Sequence, residues 1–189
     1  MKILHVCTGR ARAIRSGAGS ELTAAPKSAV DGPVAVAPLG LAGDEQADLT
    51  RHGGLSKAVY AYPSEHLAFW RTVRAQAKAA PWDQPIAPGM LGENLLLQGV
   101  LEQDLWIGDR LHLGHCVLAV SEPRMPCHKF NHATGFAQAA RLMTQSGYCG
   151  AYLAVLVPGT LQAGETFTLQ PGPREVNLRE LFRARAGKG

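Results

Sequence analysis

The sequence predicts a mainly β domain with a few helices, built as a closed or partly open, barrel-like sheet. Three observations lead there. Apolar residues fall in short runs of strand length, glycine and proline punctuate the intervals, and few stretches repeat apolar residues at helical spacing. The length of 189 residues suits a single domain. It is also enough to bury a core without disulfide staples.

Each element follows from local pattern. Residues 2–7 open the chain as a strand, and residues 15–25, rich in Gly, Ser and Ala, read as a loop. Residues 34–38 alternate Val and Ala between Gly32-Pro33 and Gly40, the signature of a strand. Residues 41–57 are polar, glycine-punctuated and without period, and segments of that kind are often functional. Residues 58–62 are strand-like, and Pro63 suits a first helical position. Leu67, Trp70 and Val73 then predict a helix to about Ala79, broken by the prolines of residues 81–88. Residues 94–97, 105–107, 111–113 and 116–120 read as closely spaced strands, with Gly108-Asp109 and Gly114 in their turns. Phe136, Ala140 and Met143 share one face of a predicted helix over residues 134–147. Residues 151–157 and 166–169 are late strands joined through Pro158-Gly159. Asn177 and Glu180 form a capping box for a short last helix over residues 178–185. The expected organisation is a barrel-like domain over residues 1–170 and a short basic helix or tail over 171–189.

Composition narrows the function classes. With 46% hydrophobic and 18% charged residues the chain is an ordinary globular protein, neither disordered nor fibrous. Three of its four net positive charges lie beyond residue 170, so the body is nearly neutral. That distribution argues against nucleic acid, which calls for a basic face within the fold; the tail reads as a solvated helix end. The longest apolar run, residues 151–157, is far short of a membrane span, and residues 1–7 lack the form of a secretory signal. The expectation is a cytoplasmic protein with no membrane association and with its four cysteines as thiols.

Three segments can carry chemistry. The first runs from Gly43-Asp44 to Arg51-His52-Gly53-Gly54. It puts an acid, a base and a titrating imidazole among glycines that allow close backbone approach to a ligand. It suits an anion- or cofactor-binding loop, or equally a surface turn. The second, Gly92-Glu93-Asn94, offers a carboxylate and an amide that fix a neighbouring loop by structural hydrogen bonds. The third is Pro123-Arg124-Met125-Pro126-Cys127-His128-Lys129. Two prolines restrain the backbone, and three basic side chains surround a cysteine that, unlike Cys7, Cys116 and Cys149, does not sit in or beside an apolar run. Positive surroundings favour the thiolate, which is both nucleophile and soft-metal ligand. No cysteine or histidine spacing, His112 and His115 included, matches a zinc site.

In this order and spacing the chain resembles the MOSC domain family, named for the C-terminal module of molybdenum cofactor sulfurases, and within it the stand-alone bacterial YiiM-like branch. The matching pieces are Gly40-Leu41-Ala42-Gly43-Asp44-Glu45-Gln46-Ala47-Asp48, Arg51-His52-Gly53-Gly54 with Lys57-Ala58-Val59, Tyr62-Pro63-Ser64-Glu65-His66, Gly92-Glu93-Asn94-Leu95 and the segment around Cys127. They run within residues 27–169.

The resemblance implies a β-rich, barrel-like fold associated with the molybdenum cofactor, with molybdenum and pyridoxal phosphate binding, sulfur transfer and detoxification. Cys127 matches the signature cysteine, which in reductase members ligates molybdenum while the enzyme reduces N-hydroxylated bases. Lys27 and His52 match the lysine and histidine thought to share its pocket, and with Cys127 they form the implied catalytic set. Asp44, Arg51, Gly53, Gly54, Lys57, Glu93, Asn94 and Arg124 form the implied cofactor-binding set. The implied partners are a small-molecule substrate and a separate electron-donor protein, with the chain a monomer or homodimer. Two other readings use the same residues: a sulfur carrier with a Cys127 persulfide, and a non-catalytic binder of a pterin or other phosphorylated ligand. The branch usually continues into a three-helix region, for which this sequence leaves room for one short helix.

Overall fold

The computed structural model describes residues 1–16, 19–47 and 53–187. Strand β1 (Lys2–Thr8) is followed by a hairpin, β2 (Arg12–Ser16) and β3 (Gly19–Thr23), then by β4 (Ser28–Val30), β5 (Val34–Ala37) and β6 (Gly40–Leu41). Next come β7 (Val59–Pro63), helix α1 (Leu67–Gln76), β8 (Leu95–Gln98), β9 (Arg110–His112) and β10 (Val117–Pro123). Two short helices, α2 (His128–Thr134) and α3 (Ala139–Ser146), precede β11 (Ala151–Val157), β12 (Gly159–Leu161), β13 (Thr168–Gln170) and α4 (Leu178–Ala186).

Eight strands form one sheet in the order β13-β9-β10-β11-β7-β8-β1-β4, while β12-β5-β6 and β2-β3 form two smaller ones. All pairs are antiparallel except β7 with β8, whose crossover carries α1. Among the described residues the outermost strands β13 and β4 do not pair with each other. Of the two predicted forms, the sheet takes the partly open one.

The core divides along the two faces of the central strands. Successive side chains of a strand point to opposite faces. On β7, Val59 and Ala61 join Ile3, Val6, Leu95, Leu118, Leu153 and Phe167 inside the barrel. Tyr60 and Tyr62 go the other way, to Trp70, Leu91, Phe130, Met143 and Phe182 beneath the helices. Every residue of β7 is therefore buried, which is why it reads as a continuous run.

Four expectations need correction. Within the stretch expected as a loop, Arg15, Ser16 and residues 19–23 are strand: β2 and β3 pair in register from Arg12↔Thr23 to Ser16↔Gly19, a pairing that weak local β propensity does not announce. Pro63 ends β7 with ψ 127 instead of opening a helix, and a 3-10 turn over Ser64–His66 precedes α1. Residues 105–107 make only an isolated bridge, Trp106↔Asn177. The helix expected over 134–147 shortens to α3, and a second helix, α2, lies ahead of it. Gly135 stops α2 at φ 82, and α2 itself starts at His128, immediately after Cys127. The last helix is capped as predicted, Asn177 accepting from the backbone N–H groups of Arg179 and Glu180. It is not a loose tail, because Leu178 and Phe182 are fully buried. No helix of the described residues is long and apolar enough to cross a membrane.

Candidate functional site

One cleft gathers most of the predicted residues. Lys27, Asp44, Lys57, Asn94, Arg124 and Cys127 all line it, together with Tyr60, Lys129 and Tyr152. It opens to solvent, and the space between its walls, solvent at the mouth included, is about 640 Å³. Arg51 and His52 lie outside the described residues.

The floor is an ion pair. Lys27 Nζ reaches both carboxylate oxygens of Asp44 at 2.5 Å, with both side chains buried. Asp44 also accepts from the backbone N–H of Gly9 at 2.8 Å and from Asn94 Nδ2 at 2.9 Å. Its oxygens are thus used within the protein, and its part is to hold Lys27 in place. Burial pushes the Lys27 ammonium down from its usual value, and Asp44 opposes that shift. Asn94 has a similar positioning role. Its side chain accepts from Tyr60 N–H and donates to the Cys7 carbonyl, tying β7 to β1.

Glu93 does not line the cleft, since its carboxyl is fully buried behind the wall. One oxygen accepts from Gly89 N–H at 2.6 Å, and the other has no hydrogen-bond partner among the described residues. Burial raises its pKa to about 7. The turn it braces supports both nearby cations. Gly89 accepts from the backbone N–H of Lys27 at 2.8 Å, and the Leu91 carbonyl accepts from Arg124 at 2.6 Å. Gly89 sits at φ 82, and a Cβ there would lie 2.5 Å from the Lys27 carbonyl oxygen, so only glycine allows this approach. Arg124 is itself buried, its guanidinium 4.6 Å from the Tyr60 ring centroid and 5.1 Å from that of Phe130.

Gly53 and Gly54 are likewise not on the cleft wall; Gly54 N–H donates to Gln46 Oε1 at 2.9 Å, fixing the chain just before the turn that carries Lys57. Lys57 lies 6.0 Å from the Tyr152 ring centroid and 4.0 Å from Glu122. Lys129 donates to the Leu22 carbonyl at 2.8 Å.

The four thiols differ in kind. Cys7, Cys116 and Cys149 are buried. Burial drives Cys7 up to about 12 and Cys116 up to about 11, and holds Cys149 well above its ordinary value. Cys127 is half-buried and lines the cleft. The donor set around it is one accessible soft sulfur among the cations Lys27, Lys57, Arg124 and Lys129. That set fits a soft metal carried by an anionic organic group, because sulfur suits the metal and the cations suit a phosphate.

Sequence reasoning missed Tyr60, Tyr152 and Gln46. The two tyrosines face each other in register across β7 and β11 and form the cleft's aromatic wall. The only signal for them was a hydroxyl-bearing ring inside an apolar strand run.

Comparison with known proteins agrees with this architecture. The family model for the MOSC domain matches residues 48–168. The YiiM protein of Escherichia coli (strain K12) is 35% identical over 94% of this chain and 75% of its own length. A protein of Gibberella moniliformis named "Reductase" is 36% identical over 97% of this chain, which spans only 32% of that larger protein. The crystal structure of YiiM from Geobacillus stearothermophilus superposes with a TM-score of 0.78 at 26% identity, covering 99% of this chain and 84% of that one.

Proposed function

Since the chain belongs to the MOSC domain family, we propose that its cleft holds a molybdenum cofactor and that the protein reduces N-hydroxylated small molecules. The observation that carries this reading is the placement of Cys127. Of the four thiols it alone lines the cleft, and it does so among four cationic side chains. The likeness to a relative named a reductase supports the reaction class.

Each residue then has a part. The Cys127 thiolate is the ligand for molybdenum. Lys57, Arg124 and Lys129 hold the anionic groups of the pterin. Lys27, fixed by Asp44, presents an ammonium to substrate or cofactor oxygen. His52, from its place in the sequence, is the candidate proton donor, since imidazole titrates near neutral pH. When bound, the cofactor supplies the two-electron redox chemistry, and the chain supplies orientation and charge. A separate electron-donor protein in the cytoplasm completes the cycle.

The test is metal content. Wild type and Cys127→Ala, both purified from a cofactor-competent host, are compared by elemental analysis, and N–O reduction is assayed with a chemical reductant. Wild type is expected to carry molybdenum and turn over; Cys127→Ala is expected to lose both. Equal molybdenum in the two proteins removes Cys127 as ligand.

A further inference from the structure

The cleft does not end at its cationic floor. A shallower groove continues from it, sharing Asp44, Glu45, Gln46 and Ala47, and its other walls are Ala11, Leu22 and Leu39. Leu22, on β3, is 52% exposed, and Leu39, between β5 and β6, is 60% exposed. A lone exposed leucine is ordinary on a protein surface. Two that wall one groove leading out of a binding cleft form an apolar feature in a functional place.

The polar side chains of the groove are engaged within the protein. Asp44 accepts from Gly9, Lys27 and Asn94. Glu45 accepts from Ala11 N–H at 2.7 Å through one oxygen and pairs with Arg10 at 3.1 Å through the other. Gln46 accepts from Gly54 N–H and donates to the Leu39 carbonyl at 2.8 Å. A polar ligand group lying here would give up water and find few new partners. An anionic one would also meet two carboxylates. An uncharged apolar group gains by leaving water for the two leucines.

We propose that this groove is a substrate subsite, so that the ligand of the Cys127 cleft is amphipathic. Its polar head lies in the cleft beside Lys27, and an uncharged apolar extension lies over Leu22 and Leu39. The inference rests on the reading of the cleft as a substrate site and specifies the substrate's class. The occupant is a fragment of a small molecule, since two leucines offer far less than the ~800 Å² that each partner of a stable protein complex buries.

Alkylation of Cys127 tests the subsite without requiring cofactor or turnover. Iodoacetamide and N-hexyl iodoacetamide differ only in an apolar tail, and both form a thioether at Cys127 with release of iodide. Their rates on the purified full chain are compared with their rates on glutathione, with labelling at Cys127 verified by peptide mass. The hexyl reagent is expected to react about tenfold faster relative to iodoacetamide on the protein than on glutathione, the scale of about two methylenes leaving water on an open apolar surface. Leu39→Ser and Leu22→Ser are each expected to cut that preference at least threefold, and Leu39→Met to retain it. Both sites are exposed, and far-UV circular dichroism checks that each variant is folded. A hexyl preference equal to that of glutathione, or one that survives both serine variants, overturns the proposal. So does a wild-type dimer that Leu39→Ser dissolves, which assigns the groove to a second copy. Failure of the cofactor reading shows separately, as equal molybdenum in wild type and Cys127→Ala.

Discussion

Replacing Asp44 by Asn removes one charge and almost no volume, so it isolates the electrostatics of the cleft floor. The asparagine oxygen can still accept from Gly9 N–H. Its amide, however, turns a donor toward Lys27 Nζ or Asn94 Nδ2, where a carboxylate accepted from both. Lys27 is left as a buried ammonium without its counterion. Breaking a buried pair by removing one partner costs about 3–5 kcal/mol. For a domain of this size that is roughly 6–20 °C in Tm, at about 2–4 °C per kcal/mol. The sign with pH follows from Lys27. Burial already pushes its folded pKa down, and without Asp44 nothing of comparable strength opposes that. The unfolded chain then binds the proton more tightly, so stability of the variant rises with pH. The penalty is full below the folded pKa of Lys27 and is relieved as pH climbs through it toward the unfolded value. The double variant Lys27→Met/Asp44→Asn removes the stranded charge and is expected to recover at least half of the loss. Lys27→Met alone should cost less than Asp44→Asn, because Asp44 keeps Gly9 and Asn94 as donors. Urea and thermal unfolding followed by circular dichroism measure all four proteins. A loss under about 1 kcal/mol for Asp44→Asn, or a double variant no more stable than it, refutes the reasoning.

Three further outcomes are expected. Burial raises the folded pKa of Glu93 from its ordinary 4.5 to about 7, so its contribution to wild-type stability falls as pH rises between those values and then levels off. Glu93→Gln should flatten that slope and, above pH 7, should be at least as stable as wild type; an unchanged slope in unfolding free energy against pH refutes this. Arg124→Lys keeps the charge but gives up the stacking on Tyr60 and Phe130 and the geometry of the bond to Leu91, a loss of about 2–4 kcal/mol in unfolding free energy. Asn177→Ala removes the cap of α4 and the side-chain bonds to the Gln103 and Leu105 carbonyls, costing about 1–2 kcal/mol. It should also speed tryptic cleavage at Arg179 and Arg183, and an unchanged digestion rate sinks that expectation.

What the sequence determined by itself was local and chemical. Alternation and turn residues marked β1, β5, β7 and β11, because a half-buried or fully buried strand writes its faces into residue type. Asn177 and Glu180 announced α4 through their capping chemistry. Cys127 stood out because a thiol between prolines and bases does not look like core. The tertiary structure decided what depends on partners distant in the chain. The hairpin β2–β3 exists through its mutual pairing and had no local signal. Helix α2, ahead of the predicted helix, had no sequence signal, and its stop at Gly135 rests on a left-handed backbone that no spacing argument reveals. The site was decided in the same way. The family resemblance put Asp44 and Glu93 among the cofactor-binding residues, yet the fold gives one to Lys27, Gly9 and Asn94 and buries the other behind the wall. Which groups a side chain meets, and whether water reaches it, are set only when segments far apart in sequence are packed together. For that reason the sequence could name the residues of the cleft, and only the fold could separate those that face a ligand from those that hold them in place.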